Sequence, residues 1–237
     1  MNLPTYLQQR LLRQATEPCY RQLCVTCLQP PFGCYCGEVV PFDPGMDFVI
    51  LIHPLEVKRR IATGRMSHLC LEGSRLLAGR DFSNDVRVER ILADPGRYSV
   101  MLYPGPTAID LSKVAAYERA LIFPRERRLT VFVMDGTWRT VRPMVRSANL
   151  AKLPRISFSL ERTSGFRTVR KQPAPGCFST IEAIHQTIEL VGASRGFAVE
   201  SRRHDVLLKV FERMVTKQME CVKTNQSRAR DRGPSCQ

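Results

Sequence analysis

The sequence predicts an α/β fold, with a mostly parallel sheet and helices on both of its faces. Three short apolar runs, at 47–52, 98–103 and 129–134, have the composition of strands that are buried on both sides. Stretches with helical spacing lie between them, and strands that alternate with helices favour a parallel sheet. We also expect a fourth strand at 155–160 and helices at 57–79, 110–122, 179–190 and 201–222. The segment 80–97 is ambiguous, because Val86, Val88 and Ile91 alternate as in a strand.

Each of the three apolar runs ends in a turn that breaks the strand. His53-Pro54 follows the first run, Pro104-Gly105-Pro106 follows Tyr103, and Asp135-Gly136 follows the third run. Parallel strands end at the same edge of a sheet, and open α/β sheets bind ligands there. These turns therefore predict a ligand crevice at the carboxyl edge.

The turn Asp135-Gly136-Thr137-Trp138 joins three chemical features. It places one carboxylate and the only tryptophan directly before a helix that carries Arg139, Arg142 and Arg146 on one face. An ordinary strand-to-helix junction with a packed tryptophan explains the spacing equally well. From the residues alone, Trp138 either stacks on a base or packs against the protein.

Four of the nine cysteines are clustered near the amino end. Cys24-x-x-Cys27 is followed closely by Cys34-x-Cys36, with prolines and a glycine between the pairs to turn the chain. This pattern predicts a tetrahedral, four-cysteine zinc site with a structural role, because it leaves no open coordination position. The alternatives are reduced thiols, or Cys19 in place of one ligand.

The charge of the chain indicates a polyanionic partner. The formal net charge is +14 and the isoelectric point is about 9.8, which favours nucleic acid first and an anionic membrane second. No window is long and apolar enough for a membrane span, and the amino end lacks the apolar core of a signal peptide, so we expect a cytoplasmic protein. The usual glycine-rich dinucleotide, nucleoside-triphosphate and serine-hydrolase motifs are absent from the sequence.

Three segments are predicted along the chain. An amino-terminal helix and the zinc segment occupy 1–45, the α/β domain occupies 46–222, and a basic tail at 223–237 is expected to be disordered. The loop 163–176 is long enough to be functional. Ser179 and Glu182 have the spacing of a helix-capping box.

Several ordered motifs together resemble the DTW-domain family, over a region from about Cys24 to the final helix. They are Cys24-x-x-Cys27-x-x-Pro30, Cys34-x-Cys36, His53-Pro-x-Glu56, Leu102-Tyr-Pro-Gly105, Asp135-Gly-Thr-Trp138-x-x-x-Arg142, Leu153-Pro154, Arg170-Lys171 and Ser179-Thr-x-Glu182-Ala183. The resemblance implies a SPOUT-like fold with a trefoil knot in the carboxyl half. It further implies transfer of the 3-amino-3-carboxypropyl group of S-adenosylmethionine to N3 of a tRNA uridine, in the variable loop by analogy with bacterial members.

The resemblance also implies roles for individual residues. Asp135 would be the general base, since alkylation of N3 requires loss of its proton. Adenosine and methionine would be bound by Tyr103, Pro104, Gly105, Met134, Gly136, Thr137, Trp138, Cys177, Ser179 and Thr180. Arg167, Arg170 or Lys171 would meet the donor carboxylate, and RNA would be bound by Arg139, Arg142, Arg146, Arg170 and Lys171.

Pro143 departs from the family pattern, in which a basic residue is common. Because proline lacks a backbone donor, we expect the helix to begin nearer Thr140, with Pro143 in its first turn. Two other functions remain open on the sequence. One is an RNA methyltransferase with the same donor, and the other is a non-catalytic, zinc-containing RNA-binding protein.

Overall fold

The computed structural model describes residues 23–57, 59, 61–159 and 178–231, with side chains up to 221. The strands are β1 (Asp47–Ile52), β2 (Arg75–Ala78), β3 (Arg97–Leu102), β4 (Ile109–Asp110), β5 (Arg128–Asp135) and β6 (Arg155–Ser157). The α-helices are α1 (Pro54–Val57), α2 (Thr63–Cys70), α3 (Val86–Leu92), α4 (Ala116–Ile122), α5 (Trp138–Val145), α6 (Thr180–Val191) and α7 (Val206–Asp231). The amino-terminal helix predicted within 1–45 lies outside the described residues.

All described strands form one parallel sheet in the order β2-β1-β5-β3-β6-β4. β5 lies at its centre and pairs with β1 from Asp47↔Thr130 to Ile52↔Asp135. On its other side β5 pairs with β3, from Arg97↔Arg128 to Leu102↔Val133. The predicted α/β class is therefore confirmed, whereas the carboxyl-half knot stays a prediction.

The sheet is covered on both faces, which explains why the central strands are almost continuously apolar. Successive strand residues point to opposite faces, so Ile50 and Val133 pack in one core while Leu51 and Phe132 pack in the other. The first core is completed by α2, α6 and α7, through residues such as Met66, Ile184 and Leu207. The second is completed by α3 and α5, through residues such as Val88, Ile91, Val141 and Met144.

Two predicted helices differ from the structure, and the ambiguous segment is resolved as a helix. The segment 57–79, expected to be one helix, contains the last residue of α1 followed by α2 and β2, with Gly73 in the left-handed region (φ 67°) between α2 and β2. The ambiguous segment 80–97 contains helix α3, because Asp85 caps it by accepting a hydrogen bond from the Arg87 backbone N–H, and Val88 and Ile91 share its buried face. The segment predicted as a helix at 110–122 begins with the short strand β4 and becomes helical only at Ala116.

Two helix boundaries also differ from expectation. α5 begins at Trp138 rather than near Thr140, because Thr137 caps it by accepting from the Thr140 backbone N–H, and Pro143 lies inside the helix beyond its first turn. α7 continues to Asp231, so the segment expected to be a disordered tail from 223 begins as helix. None of the described helices is both long and apolar enough to cross a membrane.

Candidate active site

The carboxyl ends of β1, β3 and β5 lie at one edge of the sheet and bring the three predicted turns together. The His53 backbone N–H donates to the Asp135 carbonyl at 2.9 Å, which joins the first turn to the third. The Tyr103 N–H donates to the Ile156 carbonyl at 3.0 Å, which holds the second turn against β6. Parallel pairing thus creates the edge that the sequence predicted for ligand binding.

The Asp135 carboxylate is buried between the first turns of two helices. Its Oδ1 accepts hydrogen bonds from Thr180 Oγ1 at 2.6 Å and from Thr63 Oγ1 at 3.4 Å. Thr180 is the first residue of α6 and Thr63 is the first residue of α2. Helix amino termini favour a negative charge, so this carboxylate ties both helices to the end of the central strand.

The protonation of Asp135 is shifted by its surroundings. Burial raises the pKa of the Asp135 carboxyl, and the negative charge of the nearby Glu56 adds to the increase. The hydrogen bonds from Thr180, Thr63 and the Gly64 backbone lower this pKa, but burial has the larger effect. Asp135 therefore holds a proton at a higher pH than an exposed aspartate does.

Thr63 and Gly64 were not anticipated as site residues. A Cβ on Gly64 would lie 2.7 Å from Asp135 Oδ2 and 2.9 Å from Ile50 Cγ2, so only glycine lets α2 approach this carboxylate. The signal in the sequence was a Thr-Gly pair inside a segment that we interpreted as one long helix. Without the strand order, nothing connected that pair to Asp135.

A glycine and two aromatic side chains shape the turn after β5. A Cβ on Gly136 would lie 2.8 Å from Thr140 Oγ1 and 3.0 Å from Val141 Cγ2, which explains the glycine. Trp138 is 38% exposed, and its ring centroid lies 6.1 Å from that of Tyr103. The Arg155 guanidinium lies 5.9 Å from the Tyr103 ring centroid. We call Tyr103, Trp138 and Arg155 the aromatic shelf.

His53 is buried beside this turn and is held in one tautomer. Its Nδ1 accepts a hydrogen bond from the Leu55 backbone N–H at 3.2 Å, so the neutral ring carries its proton on Nε2. Burial lowers the pKa of His53, and the positive charge of Arg80 lowers it further. The imidazole is therefore neutral over a wider pH range than an exposed histidine.

The predicted RNA-binding arginines of α5 are exposed. Arg139 and Arg142 in α5 and Arg146 at its C-cap are exposed, whereas Val141, Met144 and Val145 of this helix are buried. None of the three forms a salt bridge with a carboxylate in the described part of the chain. The other predicted cationic contacts, Arg167, Arg170 and Lys171, lie outside the described residues, as does Cys177.

The amino terminus of α6 also reaches this edge. Ser179 caps the helix, and its backbone N–H donates to Glu182 Oε2 at 2.8 Å while its hydroxyl accepts from the Glu182 backbone N–H. The predicted capping box is therefore present. It fixes the position of Thr180 beside Asp135.

The four predicted zinc ligands converge and could hold a metal ion. Cys24 Sγ lies 3.7 Å from Cys36 Sγ, Cys27 Sγ lies 3.7 Å from Cys34 Sγ, and all four sulfur atoms are within 4.8 Å of one another. A tetrahedral zinc with Zn–S bonds of about 2.3 Å requires sulfur separations of about 3.8 Å, so the cluster has the right size.

The electrostatics of the cluster also suit a cation. Hydrogen bonds from the backbone of Cys27 and Thr26 lower the pKa of Cys24 to about 6, whereas burial raises the pKa values of Cys27 and Cys36. One thiol therefore ionises readily, while the others require a cation to balance their charge.

Comparisons with known proteins give one consistent family. The profile of the DTW domain matches residues 21–219. Proteins named tRNA-uridine aminocarboxypropyltransferase 2 are similar to the chain: 28% identical in Drosophila melanogaster, over 75% of this chain and 69% of that protein. The Mus musculus protein is 28% identical over 68% of this chain and 54% of that protein. The Macaca fascicularis protein is 26% identical over 73% of this chain and 58% of that protein. The matched region thus spans about half to two thirds of these relatives, and no solved structure matches the chain.

Proposed function

The chain belongs to the DTW-domain family, and we propose that it transfers the 3-amino-3-carboxypropyl group of S-adenosylmethionine to N3 of a tRNA uridine. The names of its relatives support the reaction and the class of acceptor. The observation that carries the proposal is the meeting of a buried carboxylate, an exposed tryptophan and an exposed arginine row at one edge of the sheet. By analogy with bacterial family members, the acceptor uridine lies in the variable loop.

The donor binds across the strand-end turns. The turns at 103–105 and 134–138 and the start of α6 at Ser179 and Thr180 surround the place where β5 ends. Their backbone groups bind adenosine and the methionine part, and Arg167 meets the donor carboxylate, with Cys177 preceding α6. Trp138 of the aromatic shelf supplies an apolar surface for a nucleobase.

The reaction is a displacement at the γ-methylene carbon of the donor. N3 of uridine attacks this carbon, the carbon–sulfur bond breaks, and the sulfur leaves as the neutral thioether of methylthioadenosine. The orientation of the donor decides whether N3 faces this methylene or the methyl group, so the turns determine which group is transferred.

Asp135 accepts the proton that N3 loses. Its pKa is raised from the ordinary aspartate value, which makes the carboxylate a stronger base near neutral pH. Because the side chain is only 5% exposed, water competes little for this proton. His53 is held neutral next to it and contributes a fixed N–H donor at the same edge.

Binding of tRNA uses the exposed face of α5. Arg139, Arg142 and Arg146 contact phosphates, and Arg170 and Lys171 extend this basic surface. Changing all three α5 arginines to alanine should weaken tRNA binding and lower its salt dependence, because each phosphate contact releases counterions. The control is Arg75→Ala. Arg75 is exposed at the amino end of β2, away from the strand-end turns.

The four-cysteine cluster holds a structural zinc ion. The cluster belongs to the same core as α7, since Cys27 and Tyr35 are fully buried in it. The metal therefore attaches the amino-terminal segment to the domain and takes no part in the transfer.

The decisive experiment is mass spectrometry of nucleosides from unmodified tRNA that has been incubated with the protein and S-adenosylmethionine. We expect the aminocarboxypropyl increment on uridine with the wild type and its loss with Asp135→Asn, which keeps the size of the side chain but cannot accept the proton. A methyl increment would instead identify a methyltransferase. Salt-sensitive tRNA binding without any donor-dependent product would identify a non-catalytic RNA-binding protein.

The pH dependence separates a base from a positioning residue. If Asp135 is the base, residual turnover of Asp135→Asn should rise with hydroxide concentration, while that of the wild type levels off above the aspartate pKa. Parallel pH profiles would show that Asp135 acts only through the position of α2 and α6.

A further inference from the structure

A second group of potential metal ligands lies at the junction of α6 and α7. His185 and Glu189 are on consecutive turns of α6, and His204 and Asp205 lie in the 3-10 turn Arg203–Asp205 that leads into α7. One ligand atom from each of the four side chains lies within 4.8 Å of every other. The cluster is separate from the four cysteines and from the strand-end turns.

The distances within this cluster fit a small divalent cation. His185 Nε2 lies 2.8 Å from Asp205 Oδ1 and 4.0 Å from Glu189 Oε1. His204 Nε2 lies 3.1 Å from Glu189 Oε1 and 3.9 Å from Asp205 Oδ1. Tetrahedral zinc with bonds of about 2.0–2.1 Å to nitrogen and oxygen needs ligand separations of about 3.3 Å, and these four distances lie on both sides of that value.

The buried side chain of His204 is an independent indication that a metal ion belongs in the cluster. Its side chain is 0% exposed, and neither ring nitrogen has a well-aligned hydrogen bond in the described part of the chain, although Nε2 lies 3.1 Å from Glu189 Oε1. Its Nε2 nevertheless points at the carboxylates, at the distances given above. A buried polar atom without a hydrogen bond is costly, and coordination would remove that cost for Nε2.

The negative charge of the cluster is only partly balanced by nearby positive charge. Two carboxylates face one guanidinium, that of Arg202, which binds Glu189 and donates to Asp205 at 2.7 and 2.9 Å. A divalent cation between neutral imidazoles would balance both carboxylates. The Arg202 side chain is 50% exposed, so it can move into solvent when a metal binds.

We propose that His185, Glu189, His204 and Asp205 form a second zinc site, of the two-histidine, two-carboxylate type. Four protein ligands leave no open position, so the site is structural. It clamps α6 to the start of α7. With a rise of 1.5 Å per residue, His185 lies about 7.5 Å from Thr180 along the axis of α6. The metal is therefore away from the strand-end turns.

The first test counts metal ions. Wild-type protein dialysed against zinc should contain two zinc ions per chain, and Glu189→Gln and His204→Asn should each contain one. His68→Asn changes a histidine outside the cluster and should retain both ions. Cys24→Ser should lose only the cysteine-bound ion, so the two sites are counted separately.

Cobalt substitution identifies which ligands hold each ion. Cobalt bound by thiolates gives an intense near-ultraviolet charge-transfer band, whereas a site of nitrogen and oxygen ligands gives only weak visible bands. Titration of the wild type with cobalt should produce both the charge-transfer band and the weak visible bands. Glu189→Gln should lose only the weak bands. Neither readout depends on turnover, so failure here leaves the proposed transfer reaction untouched.

Arg202→Ala distinguishes a metal site from a salt-bridge network. If Arg202 competes with the cation, its removal should tighten zinc binding at this site at least several-fold, as measured by competition with a chelator. Unchanged affinity would contradict the competition. A folded wild type that binds one zinc, entirely lost with Cys24→Ser, would overturn the second site.

Discussion

The two threonines that bind Asp135 form a matched pair, and Thr180→Val should destabilise the protein more than Thr63→Val. Both are buried first residues of a helix, and both donate to Asp135 Oδ1. Valine keeps the shape and removes only the hydroxyl. Loss of the 2.6 Å bond from Thr180 to a carboxylate should cost about 1.5–3 kcal/mol, because hydrogen bonds to charged groups contribute about that much.

Thr63 should matter less. Its 3.4 Å contact is near the limit of a hydrogen bond, so its loss should cost under about 1 kcal/mol. A chain of this size changes its melting temperature by about 2–4 °C per kcal/mol, so Thr180→Val should lower it by roughly 3–12 °C and Thr63→Val by less than about 4 °C. Calorimetry at pH 8 with zinc present measures both. Equal losses, or a larger loss for Thr63→Val, would refute the assignment of Thr180 as the main partner of Asp135.

Three other predictions concern the same site and the cysteine cluster. Burial raises the pKa of Asp135, so its contribution to the free energy of unfolding is greatest below the unfolded pKa of about 3.9 and falls as the pH rises through the folded pKa. In urea unfolding between pH 5 and 8, Asp135→Asn should therefore gain stability relative to the wild type as the pH rises. A stability difference that stays constant over this range would contradict the raised pKa. Gly136→Ala places a Cβ 2.8 Å from Thr140 Oγ1, so it should cost about 1–3 kcal/mol in thermal unfolding and weaken binding of S-adenosylmethionine in calorimetric titrations. Cys24→Ser should abolish metal binding by its cluster and lower the melting temperature, while chelator should lower the melting temperature of the wild type by more than that of the variant.

The central strands were predictable because of their composition. β1 was expected at 47–52 and is found there, since a run such as Phe48 to Ile52 can be buried only between two layers of helices. β5 extends one residue beyond the expected run at each end, to include Arg128 and Asp135. The shared edge followed from parallel pairing alone, without any knowledge of strand order.

The segment of helix α3 was ambiguous and strand β2 was missed, because the conformation of short elements depends on tertiary packing more than on the spacing of apolar residues. Val86 and Val88 alternate as in a strand, yet Asp85 caps a helix there and Val86 is 56% exposed. The leucines of β2 fitted a helical period as well, but pairing with β1 decides their conformation.

The partners of Asp135 could not be found from the sequence. Thr63 and Thr180 are far from Asp135 along the chain. They reach its carboxylate only because of the order of the strands and because Gly64 lets α2 come close to it. The turn residues themselves, from Asp135 to Trp138, were recognisable because a strand end, a glycine and a tryptophan coincide. Their assigned roles remain predictions.

The position of β5 also determines when β1 and β3 can be joined into one sheet during synthesis. β5 lies between β1 and β3, although it follows both along the chain. A nascent chain that ends before Arg128 therefore lacks the strand that joins β1 to β3, and unpaired strand edges of this kind attract other chains. Parallel pairing over long separations is slow, so molecular chaperones that bind early in translation should engage the chain during this interval.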